Sequence, residues 1–243
     1  MAASGTDAPP MRNASADEVA RFDALASRWW DPRGPMRPLH QMNPLRVDWI
    51  GRRIGRRFPD AGAVRLLDVG CGAGLAAEAL ARRGYQVLGI DAATEAIEAA
   101  RAHAAGQRLH LVYREGEAEE LTAERFEAIT ALEVIEHVPD PARFVASLAR
   151  LLAPGGLLFL STLNRTPRAF VTAKVGAEYV LGLLPRGTHD WRRFVRPAEL
   201  GGMLRAAGLR VNDIAGMTPD PFAGRWRTTR NLAVNYILAA ETV

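Results

Sequence analysis

Two hydrophobic rhythms run along the chain. Residues 64–69, 86–90, 109–113, 126–132 and 157–162 read as strands, the first a short apolar run with the pattern of a buried one. Between them, residues 75–83, 94–104 and 141–152 place apolar side chains at helical spacing. Gly84 stops the first of these helices, and Pro154-Gly155-Gly156 halts the last. Strands alternating with helices of about ten residues imply right-handed crossovers. The predicted fold is α/β, with a mostly parallel, doubly wound sheet. A further helix is expected near residues 197–207, and strands near 208–215 and 232–240.

The flanking regions follow other rules. Residues 1–14, rich in Ala, Pro and small polar side chains, are expected to be a disordered tail. Ser15 and Glu18 have the spacing of a capping box, followed by an apolar stripe of Val19, Phe22, Leu25, Ala26 and Trp29. Asp31-Pro32-Arg33-Gly34-Pro35 breaks that helix. Asn43 is expected to cap a second helix, with Pro44 at its first position. Arg52, Arg53, Arg56 and Arg57 then form a basic stripe expected to face solvent. Residues 15–60 are thus a helical cap and 61–243 the α/β domain. That domain carries a helical insert at 165–187, after the fifth strand.

Composition narrows the function classes. Of 243 residues, 48% are hydrophobic and 24% charged, which excludes a disordered polyelectrolyte. Cys71 is the single cysteine, so neither an intramolecular disulfide nor a cysteine zinc cluster can form. No apolar run is long enough to span a membrane, and MAASGTDAPP lacks the basic region and apolar core expected of a secretory signal. The net charge of +4 is unevenly placed: +3 over residues 1–60, −5 over 61–164 and +6 over 165–243. Basic ends favour an anionic partner, either nucleic acid or a membrane face.

The candidate chemistry sits at strand ends. Gly70, Gly72 and Gly74 join the first strand to the first helix, with Asp68 two residues before the first glycine. Such a loop turns sharply, lets a ligand approach the backbone and presents a helix N-terminus to it. The spacing is G-x-G-x-G rather than the dinucleotide G-x-G-x-x-G, and it resembles motif I of class I S-adenosylmethionine-dependent methyltransferases. Asp91 ends the second strand, 21 residues beyond Gly70, where a carboxylate can accept both ribose hydroxyls. Related enzymes contact adenine near the positions of Glu117 and Ala118. Glu133, Glu136 and His137 follow the fourth strand. They can hold a divalent cation, or His137 can act as a general base. The Asn/Asp-Pro-Pro-aromatic motif of nucleic-acid amine methyltransferases is absent. In Arg165–Arg186 the apolar face of Phe170, Ala173, Ala177, Val180, Leu181 and Leu184 suits a membrane surface, a lid or core packing alike.

Several segments converge on one resemblance. They include Trp29-Trp30-Asp31, Asn43-Pro44-Leu45-Arg46, Glu133–Pro141, Gly187-Thr188-His189-Asp190 and Val234-Asn235-Tyr236. From about residue 16 onward the chain resembles the UbiG-type O-methyltransferases of ubiquinone biosynthesis. The resemblance implies a Rossmann-like methyltransferase fold. It also implies methyl transfer from S-adenosylmethionine to a catechol-type hydroxyl of a polyprenylated phenol or quinol, early and late in the pathway. By matching motif, Arg46 would hold the cofactor carboxylate, Gly70 would lie against its methionine part, Asp91 would bind ribose and Leu132 would flank it. Glu133, Glu136 and His137 match the family's metal segment, with magnesium the leading ion, and His137 and Glu133 are the catalytic candidates. Expected partners are other ubiquinone-biosynthesis enzymes and an anionic membrane surface met through 165–187, with no nucleic acid. A cytoplasmic, membrane-peripheral location follows. The segment between Thr218 and Leu232, with Arg225, Arg227 and Arg230, matches nothing in the family pattern. Two alternatives remain: a methyltransferase of another small molecule or RNA, and a non-enzymatic membrane-surface or assembly protein.

Overall fold

A computed structural model describes residues 14–171, 191–220 and 224–242. Residues 1–13 of the expected tail and most of the expected insert lie outside these residues. Five strands, β1 (Arg65–Val69), β2 (Gln86–Asp91), β3 (Leu111–Glu115), β4 (Phe126–Leu132) and β5 (Leu152–Leu163), form the parallel half of one sheet. Three more complete it: β6 (Leu209–Asp220), β7 (Arg225–Thr229) and β8 (Asn235–Thr242). The order is β3-β2-β1-β4-β5-β8-β6-β7. β8 runs antiparallel between β5 and β6, and β7 is an antiparallel edge strand on β6. The hydrophobic pattern did not anticipate β7. Arg225, Thr228 and the other edge positions are largely exposed, so an edge strand with one flank in water carries no apolar run.

Helices flank the sheet, among them α1 (Ala16–Asp23), α2 (Arg37–Arg57), α3 (Leu75–Ala81), α4 (Thr94–Ala104), α5 (Pro141–Leu151) and α6 (Pro197–Ala206). Successive strand residues point to opposite faces. In β1, Leu67 and Val69 pack with Phe144 and Leu148 of α5 and Leu204 of α6, while Leu66 packs with Ile50 and Ile54 of α2 and Leu80 of α3. Helices thus cover both faces, as a buried parallel sheet requires.

Three local expectations fail. α2 begins at Arg37, with Pro38 in its first turn, so Pro44 lies inside the helix rather than at its start. Asn43 is buried and its Nδ2 donates to the Leu75 carbonyl at 2.8 Å, tying α2 to α3 instead of capping. At α1, Ser15 is the N-cap residue but its side chain makes no capping bond, and Glu18 turns away to other partners. Nor is the arginine stripe of α2 simply solvated. Arg52 pairs with Asp48, and Arg53 pairs with Asp213 while stacking on Trp49.

The sheet order reverses between β1 and β4. In open α/β sheets that switch point is where ligands sit, beyond the carboxyl ends of the strands.

Candidate active site

A cavity of about 340 Å³ occupies this switch point. Its floor is the loop after β1. Gly70, Gly72 and Gly74 all have positive φ. At Gly72, a Cβ would run into the Trp29 indole of the cap, so glycine there both permits the turn and admits the cap against it. The Gly72 amide donates to Asp91 Oδ2 at 2.8 Å, and Asp91 Oδ1 accepts from the Ala93 amide at 2.9 Å. One carboxylate therefore holds the glycine loop against the end of β2, with lone pairs remaining for a ligand. Burial raises the Asp91 pKa, and the two amide bonds oppose that.

Two opposite charges face the cavity from the buried side. Asp68 receives the Thr130 hydroxyl at 2.6 Å on Oδ1, while Oδ2 lies buried without a hydrogen bond of ordinary geometry. Burial pushes its pKa up to about 6, although the Thr130 bond, the Arg46 charge and the Ala77 amide all favour the anion. Arg46, on α2, is 3% exposed, and its Nε and Nη1 have no hydrogen-bond partner. Its nearest anion is Glu133, at 3.6 Å. A buried guanidinium and a buried carboxyl group, both incompletely satisfied, are costly unless a ligand completes them. A carboxylate on Arg46 and an ammonium on Asp68 would do so, which is the charge pattern of an amino acid. Leu132 flanks the same space, as do Gly116, Glu117 and Ala118 after β3.

The segment after β4 forms another wall. Glu133 has φ 60, the one described non-glycine residue with positive φ. Such strain persists where surroundings over-determine it. Here Ser161 Oγ donates to Glu133 Oε1 at 2.6 Å, and the Glu133 amide donates to the Ser161 carbonyl at 3.0 Å. Glu136 is buried and accepts from the Thr162 hydroxyl at 2.8 Å. Burial, reinforced by the Glu133 charge, pushes Glu136 up to about 7. His137 Nδ1 lies 3.1 Å from Glu18 Oε2 of α1. Burial works against the imidazolium, but the Glu18 bond and the charges of Glu136, Glu18 and Glu133 outweigh it, so the His137 pKa rises.

Glu133, Glu136 and His137 therefore line one cavity, but their donor atoms are committed in three directions. Among the described residues no three His, Cys, Asp or Glu side chains gather as a cation site. In this arrangement the three do not fit a bound magnesium ion.

The roof was not legible as part of the site. Glu18, Phe22 and Trp29 line the cavity from the cap. One signal was available: Glu18 precedes Phe22 by four residues, so it shares the helix face that the apolar stripe marks.

Comparison with known proteins now decides the family. A methyltransferase-domain family model matches residues 20–214. The ubiquinone biosynthesis O-methyltransferase of Alkalilimnicola ehrlichii is 48% identical over 229 residues, spanning 93% of this chain and 91% of that protein. Its namesake in Xanthomonas oryzae pv. oryzae is 47% identical over 96% of both chains. The chain belongs to the ubiquinone biosynthesis O-methyltransferases. A third member, from Pseudomonas aeruginosa, is 45% identical over 95% of this chain and 99% of its own. Among solved structures, the magnesium protoporphyrin IX methyltransferase of Synechocystis PCC 6803 with bound SAH superimposes with a TM-score of 0.67 at 21% identity. It covers 93% of this chain and 100% of that one, and it shows that the fold is the class I methyltransferase fold.

Proposed function

We propose that the protein is an S-adenosylmethionine-dependent O-methyltransferase of ubiquinone biosynthesis, acting on a catechol-type hydroxyl of a polyprenylated phenol or quinol. One observation carries this reading. A single cavity joins an incompletely satisfied Arg46–Asp68 pair, the ribose-competent Asp91 and the His137 wall. The bound cofactor supplies an electrophilic methyl group on its sulfonium sulfur. Arg46 and Asp68 would anchor its amino-acid end, Asp91 its ribose, and the Gly70–Gly74 loop would let it approach the backbone. His137 would take the substrate hydroxyl proton, leaving an oxyanion to attack the methyl carbon. Holding the two partners in line supplies most of the remaining rate.

The test is methyl transfer to a short-chain demethylubiquinol analogue and to plain catechol, with product read by mass spectrometry. Methylated quinol is expected, and no product from either substrate would overturn the reading. The cation is tested separately. Loss of turnover on chelation, restored by magnesium, would require Glu133, Glu136 and His137 to swing off Ser161, Thr162 and Glu18. Retained turnover leaves them in the hydrogen-bonded roles described.

Contact with an anionic membrane is a further part of the proposal. Phe170, in the described start of the insert, and Trp191, just beyond its end, touch each other and are 39% and 40% exposed, and Val171 is 57% exposed. Arg165, Arg168, Arg192 and Arg193 lie close to them in sequence. Aromatic side chains beside arginines suit a headgroup region that delivers a polyprenyl chain. No helix among the described residues is long and apolar enough to cross a membrane.

A further inference from the structure

We propose that Glu18 of the cap is a positioning residue for His137. It accepts the Nδ1 hydrogen, which fixes the imidazole tautomer and leaves Nε2 as the basic nitrogen. The inference rests on the reading of His137 as the group that takes the hydroxyl proton.

The geometry is local and specific. Glu18 Oε2 is 3.1 Å from His137 Nδ1. The Glu18 carboxylate is itself held by Arg21, at 3.2 Å, with Arg193 at 3.9 Å. The Phe22 ring meets the imidazole edge-on, with centroids 5.4 Å apart and planes at 86°. The imidazole is thus fixed by a carboxylate at one nitrogen and an aromatic ring beside it, both from α1. Glu18 is only 15% exposed, so the bond is shielded from competing water.

A free imidazole in water prefers its hydrogen on Nε2, the wrong nitrogen to carry it if Nε2 is to accept a proton. A carboxylate at Nδ1 reverses that preference, and it stabilises the imidazolium once the proton arrives. The step balances simply. The O–H bond of the substrate breaks to His137, the new O–CH₃ bond forms, and the S–CH₃ bond breaks to leave a neutral thioether. The same carboxylate would orient the ring equally well if Nε2 were instead offered to a cation.

The experiment uses the full chain labelled with ¹⁵N-histidine. The protein has five histidines, so His137→Gln assigns the relevant signal. At a pH where the imidazole is neutral, two-bond ¹H–¹⁵N correlations read the tautomer. The intact protein should show the Nδ1–H form. Glu18→Ala should move it toward the Nε2–H form, and Glu18→Gln should fix it there, because its amide oxygen stays with Arg21 and its NH₂ donates to Nδ1. In steady-state assays Glu18→Ala should lose about tenfold to a hundredfold in kcat. Its affinity for S-adenosylmethionine should stay within about twofold, and Glu18→Gln, which holds the wrong tautomer, should recover none of the rate. An unchanged tautomer in Glu18→Ala would overturn the proposal. So would a wild-type kcat in that variant. Full activity in His137→Gln would instead defeat the general-base reading, while the tautomer measurement would still report whether Glu18 positions the ring.

Discussion

Asp68 is the residue whose ionisation most clearly belongs to the ligand. Its pKa, about 6 in the fold, is raised by burial above the ordinary carboxylate value of 3.8. The folded protein therefore binds this proton more tightly than the unfolded chain does. The resulting stability is fully present below about pH 4 and is lost as pH rises toward 6, a cost of about 3 kcal/mol at neutral pH. Asp68→Asn should remove that slope, so the ligand-free variant should melt higher than the parent at pH 7 but not at pH 4. The same variant should bind S-adenosylmethionine at least tenfold more weakly, since an amide cannot neutralise an ammonium. Calorimetric titration and melting at both pH values check the two halves. Asp91→Ala should also weaken cofactor binding, by about 1.5–3 kcal/mol, because a carboxylate that accepts two amides and the ribose is lost at once. Unchanged affinity would remove Asp91 from the site. That Asp68, Gly70, Gly72 and Asp91 meet at one cavity was legible because they lie on one short loop and the ends of two strands. Glu18 was not, because a local rule, the capping box, accounted for it until a histidine 119 positions away claimed its carboxylate.

At the scale of elements, the sequence pattern found β1, β2, β4 and α3 to α5 to within two residues, where buried apolar runs or glycine and proline stops mark the ends, but it set the largely exposed β3 two residues early and began β5 five residues late. It failed where tertiary contact overrides local preference. α2 continues through Pro44 because Asn43, Arg46, Val47 and Ile50 bury one face against the domain, outweighing the missing amide. The cap is joined to the domain by a second device. Trp30 stacks on His103 of α4, with centroids 3.4 Å apart and planes within 6°. His103 Nδ1 meets the fully buried Glu78 of α3 at 2.6 Å. Trp30 also donates its Nε1 hydrogen to the Ala73 carbonyl, at 3.0 Å, inside the glycine loop. Trp30→Ala should cost about 2 kcal/mol of stability, and His103→Ala about 1 kcal/mol. The double variant should lose less than the sum, by about 1 kcal/mol, in a denaturation cycle. Strict additivity would show that the stack contributes nothing.

For the whole molecule, the uneven charge sorts by layer. The acidic stretch, residues 61–164, builds the parallel half of the sheet and the cofactor loop, whereas the positive excess lies in the cap and in residues after 165. A protein so arranged should co-float with vesicles containing phosphatidylglycerol and be released by about 0.5 M salt, which collapses the Debye length to a few ångströms. Flotation with neutral vesicles alone would contradict the electrostatic part of that contact.

Helix α1 carries a group that touches the reaction wall, yet none of its eight residues is fully buried. An element held by so little apolar contact opens at small free-energy cost. Its amide hydrogens should therefore exchange with deuterium orders of magnitude faster than those of β1 in the empty protein. They should slow when cofactor and quinol together fill the space beneath. Protection of α1 would then serve as a direct gauge of how often the roof lifts during a catalytic cycle, and a product that leaves slowly would be seen there as a helix slow to exchange.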